Sequence, residues 1–113
     1  METKSFDKST ILNLDKLVEY SENGIVSKIV LEKKTGNITL FSFDQGQKLS
    51  EHTAPFDAVV QIIEGSAEII IDKKSNILKS GETIIMPANI PHAVNAVHQF
   101  KMLLTMIREW FKN

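Results

Sequence analysis

The sequence predicts a single all-β domain, a sandwich or barrel preceded by a short N-terminal helical turn, and three observations carry that reading. Turn-forming clusters recur at short intervals after residue 24: Thr35-Gly36-Asn37, Asp44-Gln45-Gly46, Glu64-Gly65-Ser66, Lys73-Lys74-Ser75-Asn76 and Lys79-Ser80-Gly81. Short strands reversing at regular spacing are the pattern of an all-β fold. Between the clusters lie runs rich in β-branched and aromatic residues, which suit a pleated, half-buried surface. The third observation is size: 113 residues, 42% hydrophobic and 24% charged, fit one domain with its own core and lie far from the composition of disordered chains.

Taken in order, residues 1–10 are polar and mixed in charge, as a frayed terminus is. Ile11, Leu14, Leu17 and Val18 recur at helical spacing, which predicts one or two turns of helix lying across a sheet. Asn23-Gly24 stops it, so residues 1–24 form an extension packing on a barrel of residues 25–113. Seven strands are expected: Ser27 to Leu31, Asn37 to Phe43, Ala58 to Ile63, Ala67 to Asp72, Glu82 to Pro87, Ala93 to Val97 and Lys101 to Ile107. Val59-Val60-Gln61-Ile62-Ile63 and Ile69-Ile70-Ile71 are apolar on both alternating faces, so such strands need a cover on each side. With one short helix to spare, the outer cover is expected to be a second copy, a homodimer. The tail Arg108-Glu109-Trp110-Phe111-Lys112-Asn113 places two aromatics after the last strand, as a packing cap on the barrel or dimer.

Composition excludes several functions. Thirteen basic against fourteen acidic residues, a formal net charge of -1, create no global positive field to recruit nucleic acid. The absence of Cys removes disulfides, thiolate metal sites and thiol nucleophiles. Apolar stretches run only a few residues, far short of the ~20 that cross a bilayer as a helix, and the N-terminus has no apolar core of a signal peptide. No membrane association and a cytoplasmic location are the expectations. No phosphate-binding Gly-rich loop and no Ser-His-Asp order occur.

The chemistry concentrates on histidine. His52 follows Gly46 by six residues and precedes the strand that ends at Gly65, while His92 follows Pro87-Ala88-Asn89-Ile90-Pro91, with Gly81 opening the strand before it. Both stand at strand entrances beside turns, where a barrel brings side chains to one rim. Alone, either ring would be read as satisfying loop hydrogen bonds. His98 has no such setting and reads as solvated.

This layout resembles the two motifs of the cupin superfamily. The first has a Gly, a His-x-His pair six residues on, and a Glu seven residues before a closing Gly, and Gly46, His52 and Gly65 match it. The second has a Gly, then Pro, x, Gly, two residues and His, with an Asn soon after; Gly81, Pro87 and His92 match, with Asn89 at the second Gly position and Asn95 one residue early for the closing Asn. The likeness covers roughly residues 25–107. Residues 49–58 and 84–93 are similar to a bacterial subgroup of short single-domain cupins. The resemblance implies a double-stranded β-helix, the RmlC-like jelly-roll barrel, with His52 and His92 opening onto one pocket.

The departures bear on function. Metal-binding members supply three His and one Glu, donors suited to Fe, Mn, Ni, Cu or Zn. Here the second His position is Ala54 and the Glu position is Ala58, so a divalent metal would have His52 and His92 alone, whereas stable sites use three or four protein ligands. Asp57 joins them only if a bulge rotates it inward. Gln61 has odd spacing from Ala58 and is expected to point outward, toward a dimer partner. Met86, Phe41, Phe43 and Phe56 are candidates to line a mostly apolar pocket, and equally ordinary as core.

Three functions are compatible with this reading. The first is binding of a small molecule whose polar end meets the two histidines, which the lost ligands favour. The alternative is a metal-dependent enzyme of the dioxygenase or isomerase type using His52 and His92. Metal-free acid/base catalysis is the third, with Asp57 or Glu51 as the nearest carboxylates to tune a ring.

Overall fold

The computed structural model describes residues 6–109. Eight strands form two packed layers: β1 (Ile25–Lys33), β2 (Gly36–Phe43), β3 (Lys48–His52), β4 (Asp57–Ile71), β5 (Lys74–Lys79), β6 (Thr83–Met86), β7 (His92–Asn95) and β8 (Phe100–Ile107). All pairings are antiparallel. One layer runs β1-β2-β8-β4-β6, and the other β3-β7-β4-β5.

β4 belongs to both layers. Its first half lies between β8 and β6, its second between β7 and β5. In the first half the even positions Ala58, Val60 and Ile62 are buried, and in the second the odd positions Ala67 and Ile69. Strand alternation allows that switch only if a residue is inserted. The register with β8 slips between Ile62 and Glu64, and Gly65 takes φ 78°, a backbone that Cβ-bearing residues resist. A Cβ at Gly65 would collide with the Gln99 carbonyl oxygen and crowd Phe100. The inserted residue keeps both halves apolar-side-in although the chain has bent from one layer to the next.

The Glu64-Gly65-Ser66 cluster is therefore a bulge within one 15-residue strand and not the turn that the sequence predicts. The expected turn Lys73-Lys74-Ser75-Asn76 is likewise largely displaced by a strand, and a further strand stands where none was expected. Lys74–Lys79 is β5, reached through a two-residue reversal at Asp72 and Lys73, both with positive φ, the geometry that a tight hairpin demands. Lys48–His52 is β3, held in register with β7. The expected helix reduces to one 3-10 turn, Leu14–Lys16, because its residues spend their polar groups on the sheet and not along a helix.

That N-terminal extension is fastened over the outer face of β2 and β8. Val18 is fully buried, as are Leu40 and Ser42 beneath the extension. The Ser42 hydroxyl donates to the Glu19 carbonyl at 2.8 Å, Lys28 Nζ to Leu17 O at 2.8 Å and Lys101 Nζ to Asp15 O at 2.5 Å. Lys101, almost wholly buried, also sees the Glu64 carboxylate at 3.7 Å and lies 5.1 Å from the Tyr20 ring centroid. Tyr20 Oη donates to Glu64 at 2.6 Å. A buried ammonium needs such company, since an isolated charge out of water is strongly unfavourable. Burial first, and then the bond to Glu64, hold the Tyr20 phenol well above its ordinary range.

Between the layers, Phe43 stacks on Phe100 at 4.6 Å between centroids, and Val60, Ile62, Ile69, Val94 and Met102 close the core around them. No helix among the described residues is long and apolar enough to cross a membrane. The expected aromatic cap at Trp110 and Phe111 lies outside the described residues.

Candidate functional site

His52 ends β3 and His92 opens β7, and the two are direct cross-strand partners. Their ring centroids are 4.4 Å apart in an edge-to-face arrangement of 67°. His92 is buried at 6% exposure, while His52 is exposed, so the pair grades from solvent to interior.

Each ring is anchored in the same way. His52 Nδ1 is 2.8 Å from the Ser50 carbonyl and His92 Nδ1 is 3.1 Å from the Ile90 carbonyl, in both cases two residues upstream. A carbonyl oxygen only accepts, so each Nδ1 carries its hydrogen, and in the neutral ring each Nε2 then holds a lone pair. The tautomers follow from these partners. Two imidazole acceptors in contact, with neither Nε2 committed to another described residue by a hydrogen bond, form the chemical core of the site.

The connections that deliver them are braced against each other. The Asn89 N–H donates to Ala54 O at 2.7 Å, and the Ala88 N–H to Asp57 Oδ1 at 2.8 Å. The turn preceding His92 is thereby clamped to the loop following His52. Asn89 adopts φ 63°, a left-handed conformation that Asn tolerates better than most residues, which explains how it stands where the resemblance places a glycine. Gly46 and Gly81 also have positive φ, 87° and 91°. Asp72 N–H donates to Pro91 O at 2.8 Å, tying the far end of β4 to the same entrance.

Asp57 is thus a positioning residue. The inward rotation considered from the sequence does not occur: Asp57 is exposed, its carboxylate is engaged by Ala88 N–H, and Ala58 takes the inward, buried place. The bulge that could have turned it lies further on, at Gly65. Glu51 is likewise committed, to Lys73 at 2.9 Å. Both rings hydrogen-bond to main-chain carbonyls and neither to a carboxylate. The polar pair below them, Asn95 Nδ2 and Ser75 Oγ, holds Glu68 on the outer face at 3.0 and 2.6 Å and lowers its carboxyl pKa, Ser75 most strongly.

Met86 and Phe43 are buried in the core, and Phe41 packs against it, 6.1 Å from Phe43. Phe56 lies under the Arg108 guanidinium at 5.6 Å. A concavity of about 630 Å³ is lined by Pro55, Phe56, Asp57, Ala88, Asn89, Ile107, Arg108 and Glu109, and a smaller one of about 240 Å³ lies around Ile38, Thr105 and Met106. Neither is lined by His52, His92, Met86, Phe41 or Phe43. The larger one shares its walls with the two connections that carry the histidines. Sequence reasoning missed the brace of Asp57 and Ala54 on residues 88–89; no local pattern signals it, because it joins positions more than thirty residues apart. His98 is exposed.

The donor set does not match that of a metal-binding cupin. Ala54 and Ala58 stand at two of the four ligand positions, and among the described residues no three His, Asp or Glu side chains gather. At the four family positions, two imidazoles are what the described residues offer a cation.

The cupin domain family matches residues 39–108. A conserved protein of unknown function from Streptococcus pyogenes is 36% identical, with 98% of each chain covered and a TM-score of 0.89. A cupin 2 conserved barrel domain protein from Leptotrichia buccalis is 44% identical over 86% of this chain, which spans only 47% of that one, with a TM-score of 0.83. A cupin superfamily protein from Desulfitobacterium hafniense is 28% identical, covering 96% of this chain and 100% of that one, with a TM-score of 0.86. No curated protein matches. With its two motifs, its shared bulged strand and its paired histidines at the rim, this chain belongs to the cupin domain family.

Proposed function

We propose that the protein binds a small molecule at the barrel mouth, with the Nε2 atoms of His52 and His92 accepting hydrogen bonds from its polar end. The observation that carries this reading is the matched anchoring of both rings through Nδ1, which pre-organises two acceptors and lowers the cost of ordering them on binding. A pre-formed pair of acceptors suits a ligand bearing a donor group such as a hydroxyl or an amine. The neighbouring concavity of about 630 Å³ falls within the range of small-molecule sites and offers Phe56, Pro55 and Ile107 to an apolar body. Recognition through this acceptor pair draws on no metal.

The test is native mass spectrometry of untagged protein for a co-purified ligand, with titration by Zn²⁺, Mn²⁺, Fe²⁺, Ni²⁺ and Cu²⁺ alongside. The expected result is a small molecule lost from His52→Ala and His92→Ala, and no stoichiometric metal after desalting. Stoichiometric metal that disappears in either variant would transfer preference to a metal-dependent enzyme.

A further inference from the structure

Where β8 ends against the start of β4, Ile107 faces Asp57 in register, and one step further along the two strands Arg108 meets Phe56. The Arg108 main chain is fixed by its N–H, which donates to Thr35 O at 2.7 Å. Its guanidinium lies over the half-buried Phe56 ring, 5.6 Å from the centroid. A ring attracts the cation through its π face but offers no lone pair to the five N–H donors. Among the described residues no carboxylate comes within ion-pair distance of Arg108, although Asp57 and Glu109 stand in the same wall of the concavity of about 630 Å³. A cation over an aromatic is ordinary cross-strand packing on an open sheet. Here the pair lines a cavity, with its hydrogen-bond donors unspent.

We infer that the ligand of the barrel mouth is an aminocarboxylate with an apolar body, held by its carboxylate on Arg108. This rests on the binding proposed for the histidine pair and names the class of molecule bound there. The planar guanidinium fork fits a carboxylate through two parallel hydrogen bonds. The rest of the wall selects against a simple anion, because Asp57 and Glu109 set two negative charges beside the one positive charge of Arg108. A simple cation is opposed by Arg108 in turn. A zwitterion satisfies both signs. The Asp57 charge is held in place by the Ala88 N–H, which donates to Oδ1 at 2.8 Å. Its field, with that of Glu109, favours an ammonium over a neutral hydroxyl as the donor end that the Nε2 atoms of His52 and His92 accept. Pro55, Phe56 and Ile107 leave an apolar surface for the body of the molecule.

Isothermal titration calorimetry of the full chain with L-leucine, L-phenylalanine and 6-aminohexanoate tests this. At least one is expected to bind. Its primary amide, which keeps the ammonium and loses the carboxylate charge, and its deaminated acid, which does the reverse, are each expected to bind at least about tenfold more weakly. Arg108→Gln is expected to weaken the amino acid by a similar factor and to leave the amide unchanged, a pattern that loss of folding does not produce. No binding by any of the three, either analogue bound as tightly as its parent, or binding indifferent to Arg108→Gln would each overturn the inference. The histidine reading fails separately: a co-purified ligand kept by both His52→Ala and His92→Ala counts against the acceptor pair, whereas one lost from those variants and kept by Arg108→Gln counts against the aminocarboxylate alone.

Discussion

His52 and His92 touch edge to face across the β3–β7 ladder, 4.4 Å between centroids, although forty positions separate them in the chain. Each is fixed by a carbonyl two residues before it, so which ring nitrogen keeps its lone pair is chosen by main-chain geometry. In ¹⁵N-resolved NMR at alkaline pH, both rings are expected to show a protonated Nδ1 and an unprotonated Nε2. A ring found in the opposite tautomer would remove the acceptor pair on which the proposed function rests.

The two histidines should differ in what they contribute to stability. His92 is buried and in contact with a second ring, so His92→Ala is expected to cost about 2 kcal/mol through lost packing and an unpaired Ile90 carbonyl. His52 is exposed, and His52→Ala should cost less than about 1 kcal/mol. Urea denaturation measures both; equal costs would contradict the graded burial of the pair.

Glycines with the same sign of φ should respond differently to substitution. At Gly65 an added Cβ meets the Gln99 carbonyl, whereas at Gly46 it enters open space. Gly65→Ala is expected to destabilise by about 3 kcal/mol, combining backbone strain with collision, and Gly46→Ala by about 1 kcal/mol from the backbone alone. Thermal unfolding of the two variants compares them directly.

Tyr20 gives the fold an alkaline limit. Burial and its bond to Glu64 raise its folded pKa above the ordinary 10.0, so the unfolded chain loses this proton first. The stabilisation is complete below about pH 10 and declines as the pH rises further. Tyr20→Phe is expected to lose about 1 kcal/mol at neutral pH and to show a shallower loss above pH 10; an unchanged alkaline slope would place the limit elsewhere.

Much of this architecture is legible in the residues, and the exceptions have physical reasons. Strands such as Asn37 to Phe43 and Lys101 to Ile107 announce themselves because they are rich in β-branched, aromatic and other apolar residues, and they are buried on both faces toward Phe43 and Phe100. Lys48–His52 and Lys74–Lys79 do not, being largely polar; their partners on β7 and β4 make them strands. Glu64-Gly65-Ser66 carries turn residues, yet a positive-φ glycine serves a bulge as well as a reversal, and only pairing with β8 decides between them. His52 and His92 are recoverable from motif spacing. The orientation of Asp57 is not, because it depends on where the inserted residue falls and on an amide thirty-one positions away.

The sharing of β4 between the layers has a consequence for how the molecule comes apart. A sandwich whose sheets were built from separate segments could lose one leaf and keep the other. Here the central plank of one leaf continues as the central plank of the next, through a single joint at Gly65, so peeling either leaf tears hydrogen bonds from the strand that anchors its opposite. The domain is indivisible, and the histidine entrance stands or falls with the whole.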